Sequence, residues 1–301
     1  MPNALAHIGI HALITRGLVR KASMGWILVG CLLPDLPWIL QRLVRGLPLE
    51  ISPYDLRTYM VVQSAFALCL VAAGALACLS TRPLRTGLVL ALGCLVHLLL
   101  DATQTKWANG VVLFAPFDWR LLNFGFYWPE DGFALAMTSF GFGYFAWAWL
   151  RIRPWHGAAA VPLLPRKRYA AAVCLAAAYM LLPLGLMAPA VQADPHYIGT
   201  LRQVEARPGR EAGFDRSWVI REPGKAPALQ IWTGEQLQLT GLPLPENARR
   251  VSVTGSFIQQ RTFAVDALHV HPPQRRDIFS YLGLMGMAAW AAAGLRRRRS
   301  P

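Results

Sequence analysis

The run Gly93-Cys-Leu-Val-His97-Leu-Leu-Leu-Asp101-Ala-Thr103-Gln-Thr-Lys-Trp-Ala-Asn-Gly110, with Leu113-Phe-Ala-Pro116-Phe just beyond it, decides how this chain is read. It is an apolar helix that carries a histidine and, four residues on, an aspartate. Positions i and i+4 lie one above the other on one helix face, so His97 and Asp101 present an imidazole and a carboxylate side by side. Residues 86–96 are apolar enough to sit in a bilayer, where an ionisable pair is costly and by default marks a site. One imidazole and one carboxylate so placed make half of a site for a divalent metal.

A single such pair is more often an ordinary hydrogen-bonded pair than a metal site. Here it has company. His7 and His11 repeat the i,i+4 spacing near the N-terminus, and Asp35 sits in Leu32-Leu33-Pro34-Asp35-Leu36-Pro37, inside another apolar run. Three separate apolar segments each carry ligand-type residues and little other charge, and that coincidence favours a site.

Composition sets the class. Of 301 residues, 54% are hydrophobic and 15% charged, with a mean hydropathy of +0.34. A soluble domain carries roughly a quarter charged residues. The expected fold class is a mainly α-helical polytopic membrane protein with a small extracytoplasmic β domain. The net charge of +14 could suggest nucleic acid, but the basic residues cluster at the ends of apolar segments. That pattern suits topology determinants, and no nucleic-acid partner is expected. All five cysteines lie in apolar segments without a CxxC partner, so neither a disulfide framework nor a thiolate metal site is expected.

Taken in order, residues 3–15 form an apolar helix too short for a standard span. Spans are expected at 22–42, 58–80, 86–101, 132–150, 169–190 and 279–295, and the segment 193–276 is soluble in character. Residues 1–192 thus make a membrane-embedded helical domain, 193–276 an extracytoplasmic β domain, and 277–301 a final span with a cytoplasmic Arg296–Arg299 tail. The basic clusters at 16–21, 82–85, 151–168 and 296–299 fall on one side if the spans alternate, and that side is the cytoplasm. The expected location is a bacterial inner membrane, with 193–276 periplasmic or extracellular. The loop 102–130, rich in tryptophan, tyrosine and phenylalanine, reads as an interfacial belt and a lid.

Depth brings the ligand-type residues to one level. His7 and Asp35 each lie 14 residues from Lys21, roughly 21 Å at about 1.5 Å per helical residue. His97 lies 12 residues beyond Arg85, roughly 18 Å up on the same rise. If residues 3–42 form a hairpin, His7, Asp35, His97 and Asp101 converge in the outer leaflet, with His11 one turn deeper. The N-terminal helix must then enter from the outer side, although hydropathy alone would leave it on the surface. Gln63 reaches the same level, and either faces the site or bonds a neighbouring helix.

Histidines near the N-terminus, Gly30-Cys-Leu-Leu-Pro-Asp35, and His97-Leu-Leu-Leu-Asp101-Ala-Thr103 running on through Gly110, Leu113 and Pro116 form an ordered set. Over residues 1–150 it resembles the YdjM-like inner-membrane metal-dependent hydrolases. That family is distantly similar to the zinc-dependent phospholipase C and single-strand nuclease group, which cleaves phosphodiesters with metals held by His and Asp on helices. The resemblance implies His7, His11, Asp35, His97 and Asp101 as ligands of a divalent metal, zinc by expectation. Asp35 and Asp101 are the candidate catalytic carboxylates, and Gln63, Ser64 and Thr103 the candidate substrate contacts. One position departs: Gln63-Ser64 stands where the family has His-Ser, and glutamine is a poor zinc ligand.

The outward segment reads as five or so short strands, at Ile198–Ala206, Leu229–Trp232, Gln236–Leu239, Arg250–Ile258 and Thr262–Val270, closing into a small OB-like barrel. His269 and His271 alternate and share one face; they read as surface residues, with a weak external metal site left open. Two functions stand. One is a membrane-bound metal-dependent hydrolase acting on a phosphoester or lipid-linked substrate at the outer leaflet, in contact with membrane lipid. The other is a non-catalytic envelope scaffold or assembly protein, with a degenerate metal site and a protein partner docked through 193–276.

Overall fold

Asn3 starts the first helix: its side chain accepts from the Ala6 backbone N–H, one of the donors a helix N-terminus leaves without a partner. The computed structural model describes residues 3–151, 164–224, 226–272 and 275–299. Helix α1 runs Ala4–Leu18, and α2, Met24–Leu32, passes through a 3₁₀ turn at Leu33–Asp35 into α3, Leu36–Arg45. Pro34 and Pro37 each withhold a backbone donor there, which suits a tightened turn. Helices α4, Pro53–Gln63, and α5, Phe66–Cys78, are followed by α6, Pro83–Thr103, α7, Gly132–Arg151, and α8, Arg166–Gln192. Among the described residues, four stretches are long and apolar enough to cross a membrane: Met24–Arg45, α6, α7 and α8. The α4–α5 pair makes a fifth if a bent pair is taken as one.

The span expected over 58–80 is bent: α4 and α5 meet at 67°. Ser64 Oγ donates to the Val61 carbonyl at 3.0 Å, a local bond that competes with helix continuation, and Ala65 is extended. Helix α1 is no surface helix. It packs on α2, α6, α7 and the C-terminal helix Arg275–Arg299, and most of its residues from Leu5 to Ala12 are buried. Glycines bring these helices close. A Cβ added at Gly141 of α7 would stand 1.9 Å from the Leu5 carbonyl oxygen of α1. One added at Gly93 of α6 would stand 2.9 Å from Gly30 Cα of α2. Apolar helices approach backbone to backbone where small residues face each other.

After α8 the chain turns into α9, Ile198–Arg202, and a 3₁₀ turn at Val204–Ala206. The strand expected over Ile198–Ala206 is therefore helical. Asp194 decides it, its carboxylate accepting from the Gly199 and Thr200 N–H groups and the Thr200 hydroxyl. The first strand lies further on: β1 is Glu211–Ile220, with β2 Ala228–Gln230, β3 Gln236–Gly241, β4 Arg250–Gln259 and β5 Thr262–His271. They form one small sheet in the order β1-β2-β3-β5-β4, and β1 also pairs β4. Every ladder is antiparallel except β3 with β5. Phe214, Phe257 and Phe263 pack edge to face in its core. Arg207, fully buried, forks onto Glu235 at 2.8 Å through both terminal nitrogens.

The sheet is fastened to the helices. Tyr54 Oη donates to the Leu201 carbonyl at 3.1 Å, Arg45 Nη1 to that of Trp232 at 2.9 Å, and Arg202 pairs with Asp55. The expected last span, 279–295, falls within α10, Arg275–Arg299. Of the basic clusters, residues 152–163 and the side chains of Arg296 to Arg299 lie outside the described residues.

The Gly30–Gly93 contact makes a prediction. Gly93→Ala should lower the midpoint of thermal unfolding in detergent, with an overpacking cost of about 1–3 kcal/mol. Gly87→Ala, on the same helix with its nearest neighbour atom at 3.6 Å, should leave the midpoint unchanged or raise it, since alanine is the better helix former. Equal effects of the two substitutions would contradict the close-contact account.

Candidate metal centre

The Gly30–Gly93 approach carries the Cys31 carbonyl to His97, whose Nδ1 lies 2.6 Å from that oxygen. A carbonyl only accepts, so Nδ1 bears the proton. In the neutral ring Nε2 then presents a lone pair. It faces Asp35 Oδ1 at 3.4 Å, from the 3₁₀ turn, and Asp101 Oδ2 at 3.9 Å, one turn along α6. From α1, His7 Nε2 lies 3.3 Å from Asp101 Oδ1. The His7 and His97 rings stack at 4.1 Å between centroids, 16° apart, and His11 stands edge-on to both.

Ligand-type atoms of His7, His11 and His97 lie within 4.8 Å of one another, and so do those of Asp35, His97 and Asp101. The structure thus brings His7, His11, Asp35, His97 and Asp101 into one cluster, with His97 common to both groups. His7, His11 and His97 are buried; Asp35 is partly exposed.

The polar atoms here are not satisfied by each other. Both ring nitrogens of His7 and His11, together with His97 Nε2 and Asp101 Oδ1, are buried without a hydrogen-bond partner. Leaving such atoms unpaired costs roughly 1–3 kcal/mol each. A lone pair aimed at two carboxylates also needs positive charge between them. Protons on both stacked rings would repel across 4.1 Å. A divalent cation answers both demands, and a set of imidazoles and carboxylates without thiolate suits zinc or a related ion. The residues fit a metal, and the Cys31 carbonyl fixes the His97 tautomer as a partner behind a ligand does.

The cluster opens on a cavity of about 30 Å³ lined by Asp35, Ser64, His97, Asp101, Trp38 and His196, among others. That exceeds the roughly 10–15 Å³ one water needs. Gly110, Val111 and Val112 close it from the loop between α6 and α7. This loop folds back over the end of α6: the Phe124 and Phe126 N–H groups bond the Ala102 and Thr103 carbonyls, and Val111 bridges to Leu122. Its aromatics divide. Trp119 and Tyr127 are buried, whereas Phe114, Phe117, Phe124 and Phe126 are exposed.

Among the expected substrate contacts, Ser64 lines the cavity, because the α4–α5 bend falls there. Gln63 turns the other way, its amide donating to Tyr59 Oη and to Met180 Sδ on α8, both at 3.4 Å. Thr103 Oγ1 donates to the Leu100 carbonyl and meets Tyr127 Oη at 3.0 Å, away from the cavity lining.

Two residues here escaped sequence reasoning. Lys106 is buried, its Nζ 3.6 Å from Asp101 Oδ2. It stands five residues past Asp101, and no periodicity says that the loop doubles back. His196, in Asp194-Pro195-His196-Tyr197, lies in the left-handed region with φ +58°, a conformation a non-glycine side chain holds at a cost. Burial, and next the Arg57 guanidinium, hold its imidazole well below the ordinary value, so the ring is neutral near pH 7. A further cluster sits against the sheet, where Glu130, at the end of the loop, meets His269 and His271 of β5. Contrary to the reading of both as surface residues, His271 is 3% exposed.

Comparison with family models, with curated proteins and with solved structures finds no match to this chain.

The Asp101–Lys106 pair is testable in chelator-treated protein. Asp101→Asn should destabilise the fold by about 3–5 kcal/mol, the cost of leaving one member of a buried pair alone. Adding Lys106→Met should recover most of that loss in chemical denaturation. Additive losses in the double variant would mean that the pair is not coupled.

Proposed function

We propose that the chain is a membrane-embedded, metal-dependent hydrolase acting on a phosphoester or lipid-linked substrate, as its resemblance to the YdjM-like family implies. One observation carries the reading. Five ligand-type side chains from three helical segments converge, and both ring nitrogens of His7 and His11, His97 Nε2 and Asp101 Oδ1 are buried there without a hydrogen-bond partner. His7, His11, Asp35, His97 and Asp101 would hold the metal, with zinc the natural candidate. When bound, such an ion supplies Lewis-acid polarisation and lowers the pKa of coordinated water.

The chain's own groups supply the rest. Asp35 and Asp101 line the cavity, and either carboxylate would serve as the general base that takes a proton from water there. Lys106 puts a positive charge beside Asp101, suited to an anionic group in the substrate. Neutral His196 lines the cavity, its Nδ1 3.5 Å from Arg57 Nη2. At about 30 Å³ the space takes water or an ion and not a headgroup. A substrate therefore needs the loop closing over Gly110–Val112 to move, a common role for covering loops. Glutamine at 63 leaves the ligand set intact, because the five ligands lie on α1, the 3₁₀ turn and α6, while Gln63 bonds toward α8.

The membrane reading follows from the apolar helices: the basic clusters inside, and the loop 104–131 and the sheet outside, in a bacterial inner membrane. The pairing of β1 with both β2 and β4, and the parallel β3–β5 pair, support an OB-like barrel for the sheet. The alternative is a non-catalytic scaffold working through that sheet. Its support is Gln63, which stands where the resembled family has histidine and contributes nothing to the cluster.

Two measurements test these readings. Detergent-purified wild-type protein should retain a divalent metal that His97→Gln and Asp35→Asn lose, and should release a chromophore from bis-p-nitrophenyl phosphate only when loaded. A metal bound without turnover of this probe or of phospholipid vesicles favours the scaffold, and no metal in the wild type ends the hydrolase reading. For topology, reporter fusions after Gln192 should report the outer face and fusions after Pro301 the cytoplasm. A cytoplasmic signal from the first would reverse the orientation.

A further inference from the structure

We propose that Glu130, His269 and His271 form a second metal site, for a zinc-like divalent cation, which clamps the loop preceding α7 to strand β5. The argument starts from proton positions. Ser252 Oγ donates to Asp215 Oδ1 at 2.9 Å, so its hydroxyl proton is committed to the carboxylate. His271 Nε2 lies 2.7 Å from the same Oγ and must therefore carry the proton of that bond. In the neutral ring, Nδ1 is then a bare lone pair, 2.9 Å from Glu130 Oε1. Two lone pairs at that distance need positive charge between them.

In the metal-free protein the nearby charge is Arg216, whose Nη1 lies 3.2 Å from His271 Nδ1 and 3.6 Å from Glu130 Oε2. A divalent cation satisfies the same two atoms with twice the charge and gains a third ligand. His269 Nε2 already touches Glu130 Oε1 at 2.6 Å, and all three ligand atoms lie within 4.8 Å of one another. Two imidazoles and a carboxylate, with a position left for water, are a common zinc set.

The surroundings hold the ligands in place. His269 and His271 alternate on β5 and so share a face. The Trp128 ring stacks on that of His269 at 3.7 Å, 1° from parallel. Ser252, backed by Asp215, fixes the His271 ring from behind, as partners of metal-bound histidines do. The Glu130 and His269 side chains are 16% and 27% exposed, which gives an ion a way in, while that of His271 is enclosed. The Ser252–His271–Glu130 chain has the connectivity of a nucleophilic triad, but Ser252 is fully buried and cannot reach an ester. The site stands independently of the hydrolase reading. What it adds is a fastening at one end of the loop that closes over the first centre.

The test uses the full chain in detergent, titrated with cobalt(II) and zinc. Wild type should bind one metal equivalent that Glu130→Gln and His269→Gln each lose, while His97→Gln keeps it. Zinc should also slow proteolysis within residues 104–131 in the wild type and in His97→Gln, but not in Glu130→Gln. Since a misfolded variant loses metal trivially, Arg216→Ala gives the reverse test: with the competing guanidinium gone, zinc should bind several-fold more tightly. Full metal retention in Glu130→Gln and His269→Gln, or unchanged or weaker zinc affinity in Arg216→Ala, overturns the site and leaves a hydrogen-bonded latch.

Discussion

Helices α2 and α6 touch backbone to backbone at Gly30 and Gly93, and the candidate centre depends on that contact. Only at such a distance can the Cys31 carbonyl accept a hydrogen bond from the Nδ1–H of His97. That bond turns the other ring nitrogen, as a lone pair, toward Asp35 and Asp101. A side chain at Gly93 would part the helices and with them the three segments that meet at His97. The same device sets α1 against α7 at Gly9 and Gly141, which draws His7 and His11 into the interior although their helix is too short to span a bilayer by itself. Small residues facing each other let apolar helices approach backbone to backbone.

Buried ionisable groups without partners are rare because they are costly. Here unpartnered polar atoms gather at the helical centre, a second cluster of ionisable groups sits against β5, and one loop links both. Its first half carries Lys106 to Asp101 and lays Gly110–Val112 over the cavity. Its last residues put Trp128 and Glu130 against β5. The sheet is thereby tied, through a segment with few regular hydrogen bonds of its own, to the cover of the helical centre. His196, strained in the left-handed region just after α8, lines the same cavity. Strain of this kind persists only where the surroundings over-determine it.

Where sequence reading and structure part, the cause is local polar chemistry that overrides periodicity. The apolar run at 58–80 reads as one span, yet Ser64 bonds back to Val61 and the helix breaks. Ile198–Ala206 alternates like a strand, yet the Asp194 carboxylate gathers the N–H groups that start a helix. Strand β1 went unread because its alternation is interrupted: the register shifts between Phe214 and Ser217, where Arg216 sits at φ +50°. In each case one side chain or one dihedral, invisible to a window average, sets the element.

By itself the sequence determined the helical class, the extent of the long apolar helices, and the identity of His7, His11, Asp35, His97 and Asp101 as residues that belong together. These follow from composition, from the i,i+4 spacing and from equal depth along helices of constant rise, all of which are linear properties of the chain. Tertiary structure alone decided which atoms face one another. It turned Gln63 toward α8 and Ser64 toward the cavity, folded Lys106 back onto Asp101, and set Glu130 between two histidines some 140 residues further on. Such pairings arise where a loop returns or a strand bulges, and their energy comes from contacts between segments that no local pattern encodes.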